Sequence, residues 1–440
     1  MSSINNGTPF DPNAANHRVS LPSEQVPVEP YKVDTLPQQG STQPGDGKEV
    51  HTDGQFTADS NAATGQHQKV PFKEQVIGVA QKLLLESYTP RTWRTHPLHI
   101  CPSEPYDPED QLNKHVLDWI FLISSLNFSF WSEKEGKPDR YGVEWRTAWD
   151  SEERKVHTGY WSLVASLNRA LEEDIPITDP QFYSSETLCP DSLIEYVFRA
   201  APQSSESIPL LRERIAVMRE VGFILCNGYG SSFKGFLDDF QRQYDGKGTA
   251  LDLVRMVTQI FPAFRDEVEY ECVNICLWKR AQILVAETWA AFYPASPDES
   301  HPIFPGPLGP QISRLTMFAD YRVPQILHHL RIITYPASLM RKLQAHIPVQ
   351  SGSREEVSLR TASIIAVERV REEILRLMEE EEKAGETEAA VADNSGTVSS
   401  VLIDFYLWDL AKKIESGEES IQGLETAEVV PIHRTRSIWY

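Results

Sequence analysis

The segment TMFADYRVPQIL (residues 316–327) combines a single acidic residue with the start of a helix, in a chain whose apolar spacing is mostly helical. Pro324 is typical of a first helical turn, because the N–H that proline lacks would have no partner there. Asp320 therefore lies on the N-terminal side of a predicted helix, whose dipole favours the ionised carboxylate. Such a carboxylate among aromatic side chains can stabilise a developing cation, as cleavage of a glycosidic bond requires. The alternative is that Asp320 only caps the helix.

The composition argues against binding of a nucleic-acid polymer. The 440 residues carry a formal net charge of -21, whereas phosphate backbones are held by clusters of Lys and Arg. A basic pocket for one phosphate is compatible with that charge. No apolar run approaches the roughly 20 residues of a membrane span, and the first residues lack the apolar core of a signal peptide. We expect a soluble intracellular protein that binds no membrane and is cytoplasmic, with presence in the nucleus left open.

The cysteines and short motifs indicate neither a metal nor a cofactor. Five cysteines are an odd number, and we interpret them as reduced thiols. Cys272 and Cys276 are one helical turn apart, but no second Cys or His pair completes a zinc site, so we expect them to pack in the core. The sequence has no Walker loop, Gly-rich dinucleotide turn, HExxH pattern or Gly-x-Ser-x-Gly elbow. These absences exclude only the most readily identified enzyme classes.

The pattern along the chain predicts a mainly α protein with a single multi-helix globular domain. Residues 1–69 are rich in small and polar residues and are predicted to form a disordered tail, because they bury too little apolar surface. The globular domain covers residues 70–440, with a Pro-rich surface insertion at 294–310, a mobile acidic loop at 383–399 and a short β-hairpin at 136–145. Apolar periodicity predicts helices at residues 76–84, 160–171, 191–199, 209–225, 233–244, 250–261, 273–292, 324–332, 337–345, 354–382 and 401–413.

Two aromatic stretches are candidates for binding a planar ring. Aromatic faces can sandwich such a ring, while amide, hydroxyl and carboxylate groups bind its edges. In the helix that begins at GYWS, Trp161 and Asn168 share one face. In both stretches the aromatic side chains could instead pack in the core. The other stretch, LNFSFWSE, supplies the candidates Asn127, Phe128, Phe130, Trp131, Ser132 and Glu133.

Charged residues inside apolar helices need partners, because an unpaired buried charge is costly. Lys279 lies within the predicted helix 273–292, in the segment KRAQILVAETW, and would pair naturally with Asp320; otherwise its amine extends to solvent. Asp404 and Asp409 lie in an aromatic helix near the C-terminus. Basic residues of the last segment could pair with these two acids, or could form a phosphate-binding pocket. Those basic residues are His433, Arg434 and Arg436.

Several long motifs, in order along the chain, resemble the queuosine salvage protein family. The motifs are LNFSFWSE, GYWSLVASLNRALEEDIPITDP, KRAQILVAETW, TMFADYRVPQIL, DFYLWDLA and HRTRSIWY. The resemblance covers the chain from about residue 70 to residue 440. The chain departs from the family pattern in its long N-terminal tail, in the Pro-rich insertion and in the acidic loop, all of which lie between or outside the motifs. Their contribution to partners and regulation therefore stays open.

The resemblance implies an activity and an architecture. The implied enzyme is a queuosine 5′-phosphate N-glycosylase that hydrolyses the nucleotide and releases queuine for reuse in tRNA modification. The implied fold is an all-α body related to helix-hairpin-helix DNA glycosylases. The family's catalytic carboxylate lies in the FADYR motif, which is Asp320 here, and the lysine of its KRAQ motif, which is Lys279 here, lies close by.

The chemistry of a 7-deazaguanine base agrees with this assignment. Carbon replaces N7, so the leaving base cannot be activated by protonation there. Asp320 would stabilise an oxocarbenium-like state and orient or deprotonate water, while Lys279 would keep Asp320 ionised. Tyr321 and Arg322 adjoin the carboxylate. The four aromatic residues of the two stretches would hold the base, with Asn127 and Glu133 at its polar edges. The candidates for the phosphate are Arg322, Arg434 and Arg436.

The expected partner is therefore a small nucleotide, bound by a monomer without a cofactor. Two alternatives remain open from the sequence. One is a non-catalytic helical interaction module in which the aromatic residues form the core. The other is a nucleosidase for a different purine-like nucleotide.

Overall fold

The computed structural model describes most of the chain after residue 74. The predicted disordered tail at residues 1–69 lies outside the described residues, as do residues 385–397 of the predicted acidic loop. The described residues are 75–80, 89–296, 298–384, 398–417 and 426–440.

The described chain is mainly helical, which confirms the predicted class. Residues 75–80 are helical and fall in the first predicted helix. Short 3-10 helices occupy Pro90–Thr95, Pro262–Phe264 and Ile312–Arg314. None of the described helices is long and apolar enough to cross a membrane. The α-helices are α1 (Gln111–Ser125), α2 (Tyr160–Glu172), α3 (Pro180–Tyr183), α4 (Asp191–Val197), α5 (Leu211–Gly228), α6 (Phe233–Gln243), α7 (Ala250–Ile260), α8 (Lys279–Ala291), α9 (Arg322–His329), α10 (Ala337–Gln344), α11 (Arg354–Ala384) and α12 (Ser400–Ser416).

Two antiparallel hairpins complete the described fold. β1 (Gly142–Arg146) pairs with β2 (Arg154–Thr158), so the predicted hairpin at 136–145 begins six residues too early. β3 (Glu267–Tyr270) pairs with β4 (Val273–Cys276), where sequence periodicity predicted the start of a helix. That helix prediction is wrong over residues 273–278, because the chain reverses at positions 271 and 272, which have φ of 49° and 64°, as a two-residue hairpin turn requires.

Two other sequence predictions are wrong for reasons of packing. Cys272 and Cys276 are exposed on the second hairpin rather than packed in the core. The Pro-rich insertion at 294–310 is not wholly on the surface, since Phe304 is buried against Phe240 with ring centroids 6.4 Å apart. The ring of His301 is also buried, with Nε2 2.9 Å from the carbonyl oxygen of Trp289.

Helix α8 lies at the centre of the main core. Every one of its residues is buried, and it packs against α1, α7 and the 3-10 helix Pro90–Thr95. A helix buried on all sides should be apolar throughout, yet α8 carries Lys279, Arg280 and Glu287. Arg280 has a structural role, because its two terminal nitrogens donate to the backbone carbonyls of Ser125 and Ala263. The other two face a cavity described below.

A second core cluster joins α9, α11 and α12, and Arg360 of α11 ties it to the first. The Arg360 guanidinium, 2% exposed, forms a two-pronged ion pair with Asp266, in which Nη1 lies 3.0 Å from Oδ1. Its Nε donates to the carbonyl oxygen of Ala319 at 2.8 Å. Asp266 in turn accepts from the backbone N–H of Lys279 at 3.3 Å. One ion pair therefore connects the start of α8 with the residue that precedes Asp320.

The Arg360→Met variant tests this connection, because it leaves the Asp266 carboxylate buried without its guanidinium. We expect a loss of about 3–5 kcal/mol in the free energy of unfolding, measured by urea denaturation. The double variant Arg360→Met/Asp266→Asn should lose less than the sum of the two single variants, since Asp266→Asn removes the carboxylate charge that Arg360→Met leaves unpaired. A loss of less than about 1 kcal/mol for Arg360→Met, an ordinary effect for a substitution, would contradict this role.

Candidate active site

A cavity of about 340 Å³ lies between α2, α8, α12 and the segment that leads into α9. Its volume is at the lower end of the range for small-molecule sites. Polar and aromatic side chains alternate on its walls. The predicted site residues that line it are Asn127, Phe130, Trp161, Lys279, Asp320, Tyr321, Arg322, Asp404 and Asp409.

Asp320 is held rigidly at the start of α9. Its Oδ1 accepts hydrogen bonds from the backbone N–H groups of Arg322 at 2.7 Å and Val323 at 2.9 Å. Among the described residues, Oδ2 has no hydrogen-bond partner, so this oxygen can act on a ligand. Burial raises the pKa of Asp320, and the charge of Lys279 and the two N–H groups offset part of that rise. Asp320 therefore caps the start of α9, as the alternative interpretation of the sequence held, and it is also an acid that faces the cavity.

Lys279 points inward, so the alternative that its amine extends to solvent is wrong. Its Nζ donates to the backbone oxygen and to Oδ1 of Asn127, both at 3.1 Å. No ion pair within 4 Å joins it to Asp320 in the described structure, and the two groups interact at longer range. Burial lowers the pKa of Lys279 to about 8, although the charge of Asp320 opposes that change.

Asp404 supplies a second carboxyl group from α12. Its Oδ2 accepts from the backbone N–H of Phe318 at 3.0 Å. Burial raises the pKa of Asp404 well above its usual value, and the charge of Asp320 raises it further. Two neighbouring buried carboxylates cannot both ionise cheaply. Since the pKa of Asp404 is raised more than that of Asp320, Asp404 retains a proton more readily, which favours ionisation of Asp320.

Glu287 is a cavity residue that sequence reasoning missed as a site. It follows Lys279 and Ile283 at four-residue spacing, so all three lie on one face of α8. Its carboxyl oxygens accept from the Tyr160 hydroxyl at 3.3 Å and the Ser124 hydroxyl at 3.4 Å. Burial raises the pKa of Glu287 to about 7. The sequence signal for Glu287 was its spacing from Lys279. That spacing identifies a site residue only if Lys279 points into the cavity, because both side chains lie on the same face of the helix.

Aromatic side chains form the wall opposite α8. The His96 ring stacks on Trp161 with centroids 3.6 Å apart and an interplanar angle of 3°. Trp408, one helical turn after Asp404, meets Trp161 edge to face at 5.9 Å. Phe130 contacts Tyr160 in the same way at 6.2 Å. Sequence analysis predicted Trp161 and Phe130 but missed the other three, which line the cavity as well.

Part of the predicted LNFSFWSE site lies elsewhere. Phe128 is fully buried beneath the guanidinium groups of Arg214 and Arg280, at 4.3 Å and 5.0 Å from the ring centroid. Ser132 donates to Glu206 at 2.5 Å, and Glu133 is 64% exposed. The pattern alone could not separate these residues from Asn127 and Phe130, because the two arginines that turn Phe128 inward come from distant helices.

The C-terminal basic residues also lie outside the cavity wall. Arg436 stacks on Trp131, with the guanidinium carbon 3.3 Å from the ring centroid, and Arg434 pairs with Glu133 at 3.0 Å. His433 lies 3.2 Å from the Tyr440 hydroxyl. None of the three pairs with Asp404 or Asp409, so the first of the two alternatives for these residues is wrong.

Asn168 is likewise structural rather than cavity-facing. It accepts from the Trp119 indole at 2.9 Å and donates to the Leu98 carbonyl at 2.8 Å. Asp409 does line the cavity, and its carboxylate pairs with Lys413 at 3.1 Å.

Three cations line another part of the cavity and share two carboxylates. Arg140 pairs with Glu135 at 2.6 Å, and Arg322 lies 3.6 Å from the same acid. Arg322 and Lys412 both pair with Glu415, at 3.1 Å and 2.9 Å. The five groups carry a net charge of +1. Arg140 and Lys412 were missed from the sequence because neither lies in one of the motifs that pointed to the site.

The described residues contain no cluster of three or more His, Cys, Asp or Glu side chains placed to hold a metal ion. The cavity lining supplies carboxyl groups, ammonium and guanidinium groups, and aromatic faces.

Known proteins share this chain's sequence over most of its length. A family model described as queuosine salvage protein matches residues 106–440. The queuosine 5′-phosphate N-glycosylase/hydrolase of Schizosaccharomyces pombe is 37% identical over 353 residues, which cover 79% of this chain and 87% of that protein. The protein of the same name from Mus musculus is 36% identical over 327 residues, 74% and 82% of the two chains. A third, from Sphaerobacter thermophilus, is 31% identical over 369 residues, 83% and 91% of the two chains.

The match to the family model includes α1 to α12 and therefore Asp320, Lys279, Asp404 and Glu287. The 3-10 helix Pro90–Thr95 and the loop with His96 precede the matched residues. Because the match covers about three quarters of the chain, and the relatives align over most of their own length, this chain belongs to the queuosine salvage protein family.

Proposed function

We propose that this protein hydrolyses the N-glycosidic bond of queuosine 5′-phosphate and releases queuine for salvage. The observation that carries the proposal is the free Oδ2 of Asp320, which faces a cavity shared with Lys279. The names of the relatives support the same reaction and substrate for this chain.

The proposed chemistry acts mainly on the sugar. The C1′–N bond breaks with its electron pair passing to the base, and Asp320 stabilises the oxocarbenium-like state by its charge. A water oxygen then bonds to C1′ and one water proton passes to Asp320; that proton is then delivered to the base nitrogen through solvent, which regenerates the Asp320 carboxylate. Lys279 favours the ionised form of Asp320 at a distance, while protonated Asp404 adds no competing negative charge.

The proposed phosphate site consists of Arg140, Arg322 and Lys412 rather than the C-terminal arginines. All three line the cavity, and their two carboxylate partners leave a net positive charge. A phosphate could exchange one carboxylate for stronger charge-assisted hydrogen bonds. This arrangement needs only a local pocket, in agreement with an overall charge of -21.

The remaining features of the proposal rest on the sequence. We propose a cytoplasmic monomer that needs no cofactor and binds neither a nucleic-acid polymer nor a membrane. We also propose that its helical body is related to helix-hairpin-helix DNA glycosylases. Size-exclusion chromatography with light scattering would test the monomer, with a mass of 49.9 kDa expected.

The Asp320→Asn variant is the direct test of the reaction. The wild-type protein should release queuine from queuosine 5′-monophosphate, and the variant should lose at least about a hundredfold in kcat, because an amide neither carries the charge nor takes the proton. Release of base is followed by chromatography, with circular dichroism to show that the variant is folded. Equal release by both proteins would move the chemistry away from Asp320, and faster release from guanosine monophosphate would favour a different nucleotide.

The pH dependence tests the pairing of Asp320 with Lys279. Activity should rise with pH as Asp320 loses its proton, at a pH above the usual range for a carboxyl group, because burial raises that pKa. It should fall again near pH 8, where the Lys279 ammonium deprotonates and its favourable charge is lost. The profile of kcat/KM reports these groups in the free enzyme. Activity that stays constant from pH 7 to pH 10 would contradict the role of Lys279.

The Lys412→Ala variant tests the phosphate site. It should lower kcat/KM for the 5′-monophosphate by about ten- to a hundredfold, the range for a lost charge-assisted hydrogen bond, while leaving kcat/KM for unphosphorylated queuosine unchanged. Lys234→Ala, which removes an exposed lysine paired with Asp238, serves as the matched control. Equal losses on both substrates would show that Lys412 does not bind the phosphate.

A further inference from the structure

Glu287 is a buried acid that faces the cavity and that the proposed reaction does not use. It is eight residues from Lys279 on one face of α8, which places the two backbone positions about 12 Å apart. Ile283 lies between them and also lines the cavity. The cavity therefore has an acidic end at Glu287, separated from the Lys279 amine by an apolar surface.

The hydrogen-bonding capacity of Glu287 is largely unfilled. A carboxylate offers about four acceptor sites. Among the described residues, Glu287 accepts from two hydroxyls, at 3.3 Å and 3.4 Å, and both distances exceed the usual 2.5–3.0 Å for such bonds. A buried carboxyl group with such weak partners is unusual, and it leaves acceptor sites available to a ligand.

Trp93 lines the same cavity and provides a second observation. Its indole N–H is near enough to Glu287 to favour the ionised acid, yet it is buried and has no partner at hydrogen-bond geometry among the described residues. Trp93 itself is only 7% exposed. The Trp93 N–H can donate one hydrogen bond and the Glu287 carboxylate can accept further ones. A planar ligand that presents an acceptor to Trp93 and donors to Glu287 would satisfy both.

A guanine-type ring has that opposite pattern. Its pyrimidine edge presents a carbonyl oxygen, a ring N–H and an exocyclic amino group side by side, so one acceptor is followed by two donors. Adenine-type rings present an amino group and an unprotonated ring nitrogen there and would meet the carboxylate with the wrong polarity. The apolar surface of Ile283 and the rings of Tyr160 and Trp161 are suited to the flat faces of such a base.

We propose that Glu287 and Trp93 read the pyrimidine edge of the base, Glu287 accepting from the ring N–H and the 2-amino group and Trp93 donating to the carbonyl oxygen. This inference rests on the proposed function and adds the residues that select the base of the substrate. The base then lies at the Glu287 end, and the sugar lies beside Asp320 and Lys279. A site built to pair with such groups rejects analogues that lack them, because its own buried polar atoms are then left unpaired.

The test compares two substrates and two proteins. The substrates are queuosine 5′-monophosphate and its analogue with hydrogen in place of the 2-amino group; the proteins are wild type and Glu287→Gln. Wild type should prefer the parent at least about tenfold in kcat/KM. Glu287→Gln should lose most of that preference, mainly through a higher KM for the parent, since recognition of the base is made in the ground state. An unchanged preference in Glu287→Gln would overturn the proposal.

Trp93→Phe and a binding measurement complete the test. Trp93→Phe keeps the aromatic ring but removes the N–H, and it should weaken binding of the parent and of the 2-desamino analogue by the same factor, because both retain the carbonyl oxygen. Glu152→Gln, a change at an acid that is 88% exposed, should leave both substrates unaffected. Loss of the preference in this control as well would also overturn the proposal.

Calorimetry with Asp320→Asn separates this inference from the proposed reaction. That variant should bind the parent nucleotide more tightly than the 2-desamino analogue, and adding Glu287→Gln should abolish the difference. If wild type released no base while this binding preference were present, the reaction would fail and the inference would stand. If base were released but Asp320→Asn bound both nucleotides equally, the inference alone would fail.

Discussion

The buried ion pair between Arg360 and Asp266 is the interaction on which the rest of the structure depends. Its guanidinium also holds the carbonyl oxygen of Ala319, and its carboxylate also caps the start of α8. The residue after Ala319 is Asp320, and the first residue of α8 is Lys279. The two central groups of the proposed site are therefore positioned from one salt bridge. Since a buried ion pair contributes little net stability, its main effect here is to fix geometry.

Helix α8 is unusually polar for a buried helix because it carries groups of the proposed site. Lys279 and Glu287 are both buried in α8, where a soluble protein normally places apolar side chains. Burial moves the pKa of Lys279 down to about 8 and that of Glu287 up to about 7, so both groups change charge near neutral pH. Groups with such pKa values are concentrated at functional sites. The packing of α8 therefore has two effects on Lys279 and Glu287. It buries them, which destabilises the fold, and it places them where the proposed site needs them.

The sequence predicted features that depend on neighbouring residues, such as helix starts. It did not predict features that depend on residues distant in the chain, such as the burial of an aromatic ring. Pro324 and Asp320 were placed correctly because helix starts obey local rules. Phe128 could not be separated from Phe130, since the Arg280 guanidinium that lies over the Phe128 ring comes from α8, far along the chain. The mainly α class followed from periodicity, whereas the second hairpin was missed because its turn needs positive φ at Glu271 and the next residue, neither of which is glycine.

The C-terminal arginines show why charge alone misidentifies a phosphate site. Arg434 and Arg436 form a basic run at the C-terminal end of the chain, yet one pairs with Glu133 and the other covers Trp131. Their charge is used in holding the last segment against the domain. Lys412 carries no such sequence signal, but its helix places it two turns after Asp404 and on the same cavity. A cation becomes a ligand group through the direction in which its helix presents it, and that direction is set by packing.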